Sequence, residues 1–137
     1  MRIMLDTNIL ISALLFPSER MNRMIEFISI NHDLVLSSYV LDELKAVINK
    51  KFPSKSAVID KLLVNMSYEL VYTPENIPDS IFNIRDKKDY PVLYTAILEG
   101  IDILITGDKD FADVSILYPE ICTPADFIEK YIEQREN

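Results

Sequence analysis

Carboxylates are the groups with which this sequence can do chemistry, and four of them stand at informative positions: Asp6, Glu43, Asp89 and Asp108. Asp6 directly follows the apolar run Ile3-Met4-Leu5, and Asp108 comes three residues after the run from Ile101 to Ile105. Thr7-Asn8 and Thr106-Gly107 surround these acids with small polar groups, and Gly107 is expected to permit a tight turn. Either acid alone could equally cap a helix or sit solvated in a loop. Glu43 separates from Asp42 by helical geometry. At about 100° per residue, Val40, Leu41, Leu44, Val47 and Ile48 form one apolar stripe. Asp42 falls nearly opposite that stripe and should face solvent, whereas Glu43 falls on its flank and can reach a crevice. The residue four beyond Glu43 is Val47, which offers no salt bridge. Asp86 and Asp89 flank Lys87-Lys88 just ahead of an apolar segment, and Asp89 stands where an N-cap belongs, with Pro91 in the first turn. Cap and metal ligand are compatible roles there.

Like charges about 4 Å apart cost on the order of 4 kcal/mol per pair at an effective dielectric of about 20. A cluster of four carboxylates therefore takes up protons or recruits cations. Hard oxygen ligands without imidazole or thiolate favour Mg²⁺ or Mn²⁺. Such ions activate water and stabilise the leaving oxygen in phosphodiester displacement. Composition removes competing chemistries. With only Gly100 and Gly107, no glycine-rich phosphate loop or dinucleotide fingerprint can be written. The single histidine, His32, lies in a polar Asn31-His32-Asp33 turn, against a Ser-His-Asp hydrolase or a multi-histidine metal site. One cysteine, Cys122, excludes an internal disulfide framework and a Cys-cluster zinc site, and suits a reducing, cytoplasmic setting. The 22 acidic against 14 basic residues, a net charge of -8, argue against nucleic-acid binding through a broad basic surface. That objection weakens where bound cations reverse the local field.

The elements that must position these acids follow from the pattern. Arg2 to Leu5, Leu34 to Leu36, Tyr68 to Tyr72 and Ile101 to Ile105 read as strands, and Glu120 to Cys122 as a short fifth. Helices are predicted over Ile9 to Leu15, Arg20 to Ile30, from a Ser37 or Ser38 cap to Lys51, from Ser54 or Ser56 to Met66, Asp89 to Glu99, and from Thr123-Pro124 onward. Val58, Ile59, Leu62, Leu63 and Met66 should share one face of the fourth, and Gly100 should end the fifth as a C-cap. Alternating strands and helices with short connections imply a three-layer α/β/α sandwich with a parallel sheet of four to five strands. The 137 residues suit one domain, 1–137. No apolar run approaches the roughly 20 residues a membrane span needs, and the start does not read as a signal peptide. Ligands of such sheets sit beyond the carboxyl ends of the strands, where Asp6 and Asp108 stand.

At these residues the chain resembles a PIN-domain nuclease, the fold found in the toxin component of many toxin–antitoxin modules. Four motifs match in order, from Arg2 to about Ile128: MLDTNILISAL, SSYVLDEL, RDKKDYPVLYTAI and ILITGDKDF. The first and last together are specific. The resemblance implies an acidic centre of Asp6, Glu43, Asp89 and Asp108, with Asp110 as a fifth candidate and Asn8 and Thr106 as supporting polar positions. It implies Mg²⁺- or Mn²⁺-dependent cleavage of single-stranded RNA, a homodimer and an antitoxin partner. Asp86 lies in the third motif too, so the choice of Asp89 rests on register. Arg85, Lys87, Lys88 and Lys109 are the candidates for phosphate contact. Two other classes compete. A non-catalytic PIN-like interaction module would show loss of an acid, and none of the four is lost. A phosphoaspartate phosphatase would want a second acid where Asn8 stands, and a receiver domain wants an acidic pair and a later lysine that are not seen.

Overall fold

The computed structural model describes residues 1–77, 90–108, 111, 114, 116–134. Five strands, β1 (Arg2–Leu5), β2 (Asp33–Ser37), β3 (Glu69–Val71), β4 (Ile103–Ile105) and β5 (Glu120–Cys122), form one parallel sheet in the order β3-β2-β1-β4-β5. In the three central strands, consecutive residues are buried: Ile3-Met4-Leu5, Leu34-Val35-Leu36 and Ile103-Leu104-Ile105. Neighbouring side chains on a strand point to opposite faces, so both faces of the sheet are covered. That is the sandwich the alternating pattern implies.

The helices are α1 (Thr7–Leu15), α2 (Glu19–Asn31), α3 (Ser38–Lys51), α4 (Ser56–Asn65), α5 (Tyr90–Leu98) and α6 (Pro124–Phe127). A single 3₁₀ turn over Pro53–Lys55 leads into α4, and α6 continues as a wider π-helical segment over Ile128–Glu133. Side-chain caps set several starts: Ser18 accepts from Met21 N–H, Ser37 from Val40 N–H and Thr123 from Asp126 N–H. The helix α1 opens at Thr7, two residues earlier than its apolar periodicity suggests, because Asp6 itself is the cap. Its neighbours are α2, α3 and α4, while α2 also packs on β2 and on the π-helical segment.

The structure adds detail to two of these readings. Only Ile59 and Leu63 of α4 are buried, while Val58 is 54% exposed and Leu62 39% exposed. Periodicity defined a face wider than the surface available to cover it. Gly107 has no positive φ, and a Cβ there would meet nothing closer than Ile9 Cδ1 at 3.9 Å. The turn does not require glycine. Gly100 does: its φ is +63°, and Ile101 N–H donates to Ala96 O while Gly100 N–H donates to Ile97 O, the paired bonds of a Schellman stop. Nothing lies within 4 Å of a Cβ at Gly100, so the cost of a side chain there is purely conformational. Gly100→Ala is expected to destabilise by about 1 kcal/mol, and Gly107→Ala to leave the denaturant midpoint unchanged. Equal shifts from both substitutions would contradict this.

The amino-terminal edge of the sheet is tied by Arg2. Its guanidinium donates to both carboxylate oxygens of Glu69 (2.9 and 3.2 Å) and to the Glu99 carbonyl, and its backbone N–H donates to Asp102 Oδ2 at 2.8 Å. Glu69 is half exposed, so the pair contributes little energy and chiefly orients the strand starts.

Candidate active site

The chain leaves β1 toward β2 and β3 on one side, then returns to β4 on the other. The reversal places a crevice beyond the carboxyl ends of β1 and β4. Asp6 stands at the end of β1 and Thr106-Gly107-Asp108 at the end of β4, in strands whose register pairs Leu5 with Ile105. Asp6 N–H donates to Ile105 O, carrying the ladder one step past the strand.

Asp6 is 5% exposed, an unusual position for a carboxylate. Its Oδ1 accepts the Thr7 N–H at 2.6 Å, and its Oδ2 accepts the Thr106 hydroxyl at 2.7 Å. Thr106 Oγ1 in turn accepts the backbone N–H of Asp108 at 3.0 Å. One buried hydroxyl therefore joins the two acid-bearing loops. Burial pushes the Asp6 carboxyl above its ordinary range; the bonds from Thr106 and Thr7 pull it down, and the charges of Glu43 and Asp108 push it up again. Glu43 and Asp108 are half-buried and near enough for their charges to act on Asp6. Asp42 is exposed.

A scan against protein-family models matches residues 2–110 to the PIN domain. The chain belongs to the PIN domain family. The matched segment contains the first three motifs and all of the fourth but its final Phe111, and it ends before β5 and α6. This membership supports a nuclease. The fold is also similar to a solved structure titled VapBC2 from Rickettsia felis bound to a DNA fragment from their promoter. The TM-score is 0.68 at 21% identity, covering 89% of this chain and 97% of that chain. The likeness is one of fold. A search of curated proteins finds no significant match.

Within this PIN domain the structure brings together Asp6, Glu43, Thr106 and Asp108. Asn8 is exposed on the first turn of α1. Asp89, Asp86, Asp110, Arg85, Lys87, Lys88 and Lys109 lie outside the described residues. Among the described residues, no three His, Cys, Asp or Glu side chains gather closely enough to hold a metal ion. Two observations nevertheless fit a hard cation at Asp6. It is a buried acid with two further acids acting on it, and beside it Thr7 Oγ1 is buried with no hydrogen-bond partner among the described residues. Among the described residues, no helix is long and apolar enough to cross a membrane.

Sequence reasoning passed over Thr95, a fully buried hydroxyl within α5. The signal was present: in YPVLYTAIL it is the one small polar residue of a nearly continuous apolar helix.

Proposed function

We propose that this PIN domain is a Mg²⁺- or Mn²⁺-dependent endoribonuclease that cleaves single-stranded RNA and acts as the toxin of a toxin–antitoxin module. The observation that carries the reading is Asp6, a buried carboxylate at the sheet's switch point on which Glu43 and Asp108 both act. Asp6, Glu43 and Asp108, joined by Asp89, would hold the cation, with Asp110 as a further candidate. When bound, the ion supplies water activation and neutralises charge on the leaving oxygen. Thr106 holds Asp6 in one rotamer and ties it to the Asp108 backbone, so two ligands keep a fixed relation. Arg85, Lys87, Lys88 and Lys109 would contact the RNA phosphates.

The reading takes residues 1–137 as one domain acting in the cytoplasm. An antitoxin partner is supported by the fold likeness to VapBC2, and an antitoxin arginine would bind the carboxylates and compete with the cation. A homodimer is also proposed. Met24 is fully buried and Phe27 packs edge-on to Phe127, so the methionine-bearing face of α2 mainly completes the core. The exposed Val58, Leu62 and Val64 on α4 remain as apolar contact surface.

Cleavage of a labelled single-stranded RNA tests the activity. Wild type is expected to cut with Mg²⁺ or Mn²⁺ and to stop in EDTA. Cutting that persists in EDTA would remove the metal from the mechanism; no cutting under any condition would favour a non-catalytic module.

A further inference from the structure

Beyond the ends of β2 and β3, on the same edge of the sheet, a chain of hydroxyls links three elements. Thr95 Oγ1 lies 2.6 Å from the Pro91 carbonyl oxygen and 2.9 Å from Thr73 Oγ1. The Pro91 carbonyl can only accept, so the single Thr95 proton goes there, and the proton between the two threonines comes from Thr73. Thr73 follows β3 by two residues, and its backbone N–H donates to Ser38 Oγ at 2.9 Å. Ser38 is the first residue of α3, the helix that carries Glu43. The chain thus runs from the first turn of α5, past the exit of β3, to the start of α3.

A threonine that bonds back to the carbonyl four residues earlier is ordinary helix behaviour. The Thr73 contact is not local: it spans 22 residues and joins a helix to a loop. A buried hydroxyl costs stability unless it is partnered, and here the non-local partner is Thr73, which ties α5 to the loop after β3. We propose that Thr95 is a positioning residue. Through Thr73 and Ser38 it sets the first turn of α5 against the start of α3. It thereby sets how Glu43, the acid carried by α3, is offered to a cation. The consequence for the cation rests on the nuclease reading; the coupling of the two segments does not.

Two readouts on the full chain separate these levels: amide hydrogen exchange of the first turns of α3 and α5 in metal-free protein, and the Mn²⁺ concentration at half-maximal thermal shift. Thr95→Val keeps the shape and removes the hydroxyl. It is expected to speed exchange in both turns, and to raise the Mn²⁺ midpoint, by about fivefold, the effect of one neutral hydrogen bond. Thr95→Ser should behave as wild type. Thr73→Val, which leaves the interior of α5 intact, should reproduce the Thr95→Val changes even where Thr95→Val folds poorly. Wild-type exchange in both valine variants, or a serine variant as impaired as Thr95→Val, overturns the proposal. Altered exchange with an unmoved Mn²⁺ midpoint overturns its link to the site. Should wild type take up no Mn²⁺, the nuclease reading fails, and exchange alone decides the coupling.

Discussion

Asp6→Asn is expected to lower RNA cleavage by roughly a hundred- to ten-thousandfold, the range for removing one group that acts at the reacting atoms. Asparagine keeps the size and the cap, so the loss would report charge rather than fold. The same substitution should stabilise the metal-free protein at neutral pH. Burial holds the Asp6 carboxyl above its ordinary value of 3.8, with Glu43 and Asp108 adding to the rise. The folded state therefore binds the Asp6 proton more tightly than the unfolded chain does. Its contribution to stability is present below the unfolded value and is lost as pH rises through the folded one. At pH 7 the ionised acid is a cost that asparagine lacks. Thermal unfolding in EDTA should show the variant a few degrees above wild type, with about 1 kcal/mol corresponding to roughly 3–5 °C in a chain of this size. The gap should close as pH falls toward the unfolded value. Added Mn²⁺ should raise the wild-type midpoint by mass action and leave the variant nearly unmoved. Equal midpoints in EDTA together with equal responses to Mn²⁺ would show that Asp6 is not where the cation binds.

Thr106→Val tests the other half of the site and should affect both stability and activity. Valine fills the same space, but it removes the hydroxyl that bonds the buried Asp6 Oδ2 and ties it to the Asp108 backbone. A buried polar group that loses its partner costs about 1–3 kcal/mol, so metal-free protein should unfold roughly 3–15 °C lower. The Thr106 bond also pulls the Asp6 carboxyl downward; without it Asp6 holds its proton to higher pH. The Mn²⁺ needed for half-maximal cleavage should rise by roughly 10–100-fold, as when a group orienting a metal ligand is lost. Thr106→Ser keeps the hydroxyl and should recover most of both losses. A valine variant with wild-type unfolding and wild-type Mn²⁺ demand would reduce Thr106 to packing.

Much of the fold could be read along the chain because its causes are local. Ile3-Met4-Leu5 and Ile103-Leu104-Ile105 read as strands since a strand covered on both faces has no polar side to alternate with. Ser37, Thr123 and Gly100 mark helix ends through their own hydroxyls or backbone freedom. The acids Asp6 and Asp108 stood out for their places after apolar runs, and Glu43 stood apart from Asp42 by angle alone.

What the amino-acid order could not decide was which of these features meet. Val58 and Leu62 share a helix face with Ile59 and Leu63, yet stay exposed, because burial depends on how much neighbouring surface exists and periodicity counts only one side. Thr73 and Thr95 are unremarkable singly; their bond exists because α5 begins at the edge where β3 ends. The hydrogen bond between Asp6 and Thr106 spans 100 residues and depends on β1 lying beside β4. Alternating strands and helices are compatible with several strand orders, and each order would put different carboxylates together. The residue types and local elements were set by sequence, through short-range sterics and hydrogen bonding. The order β3-β2-β1-β4-β5 and the site it creates were settled by packing both faces of the central strands, a condition that only the whole chain can satisfy.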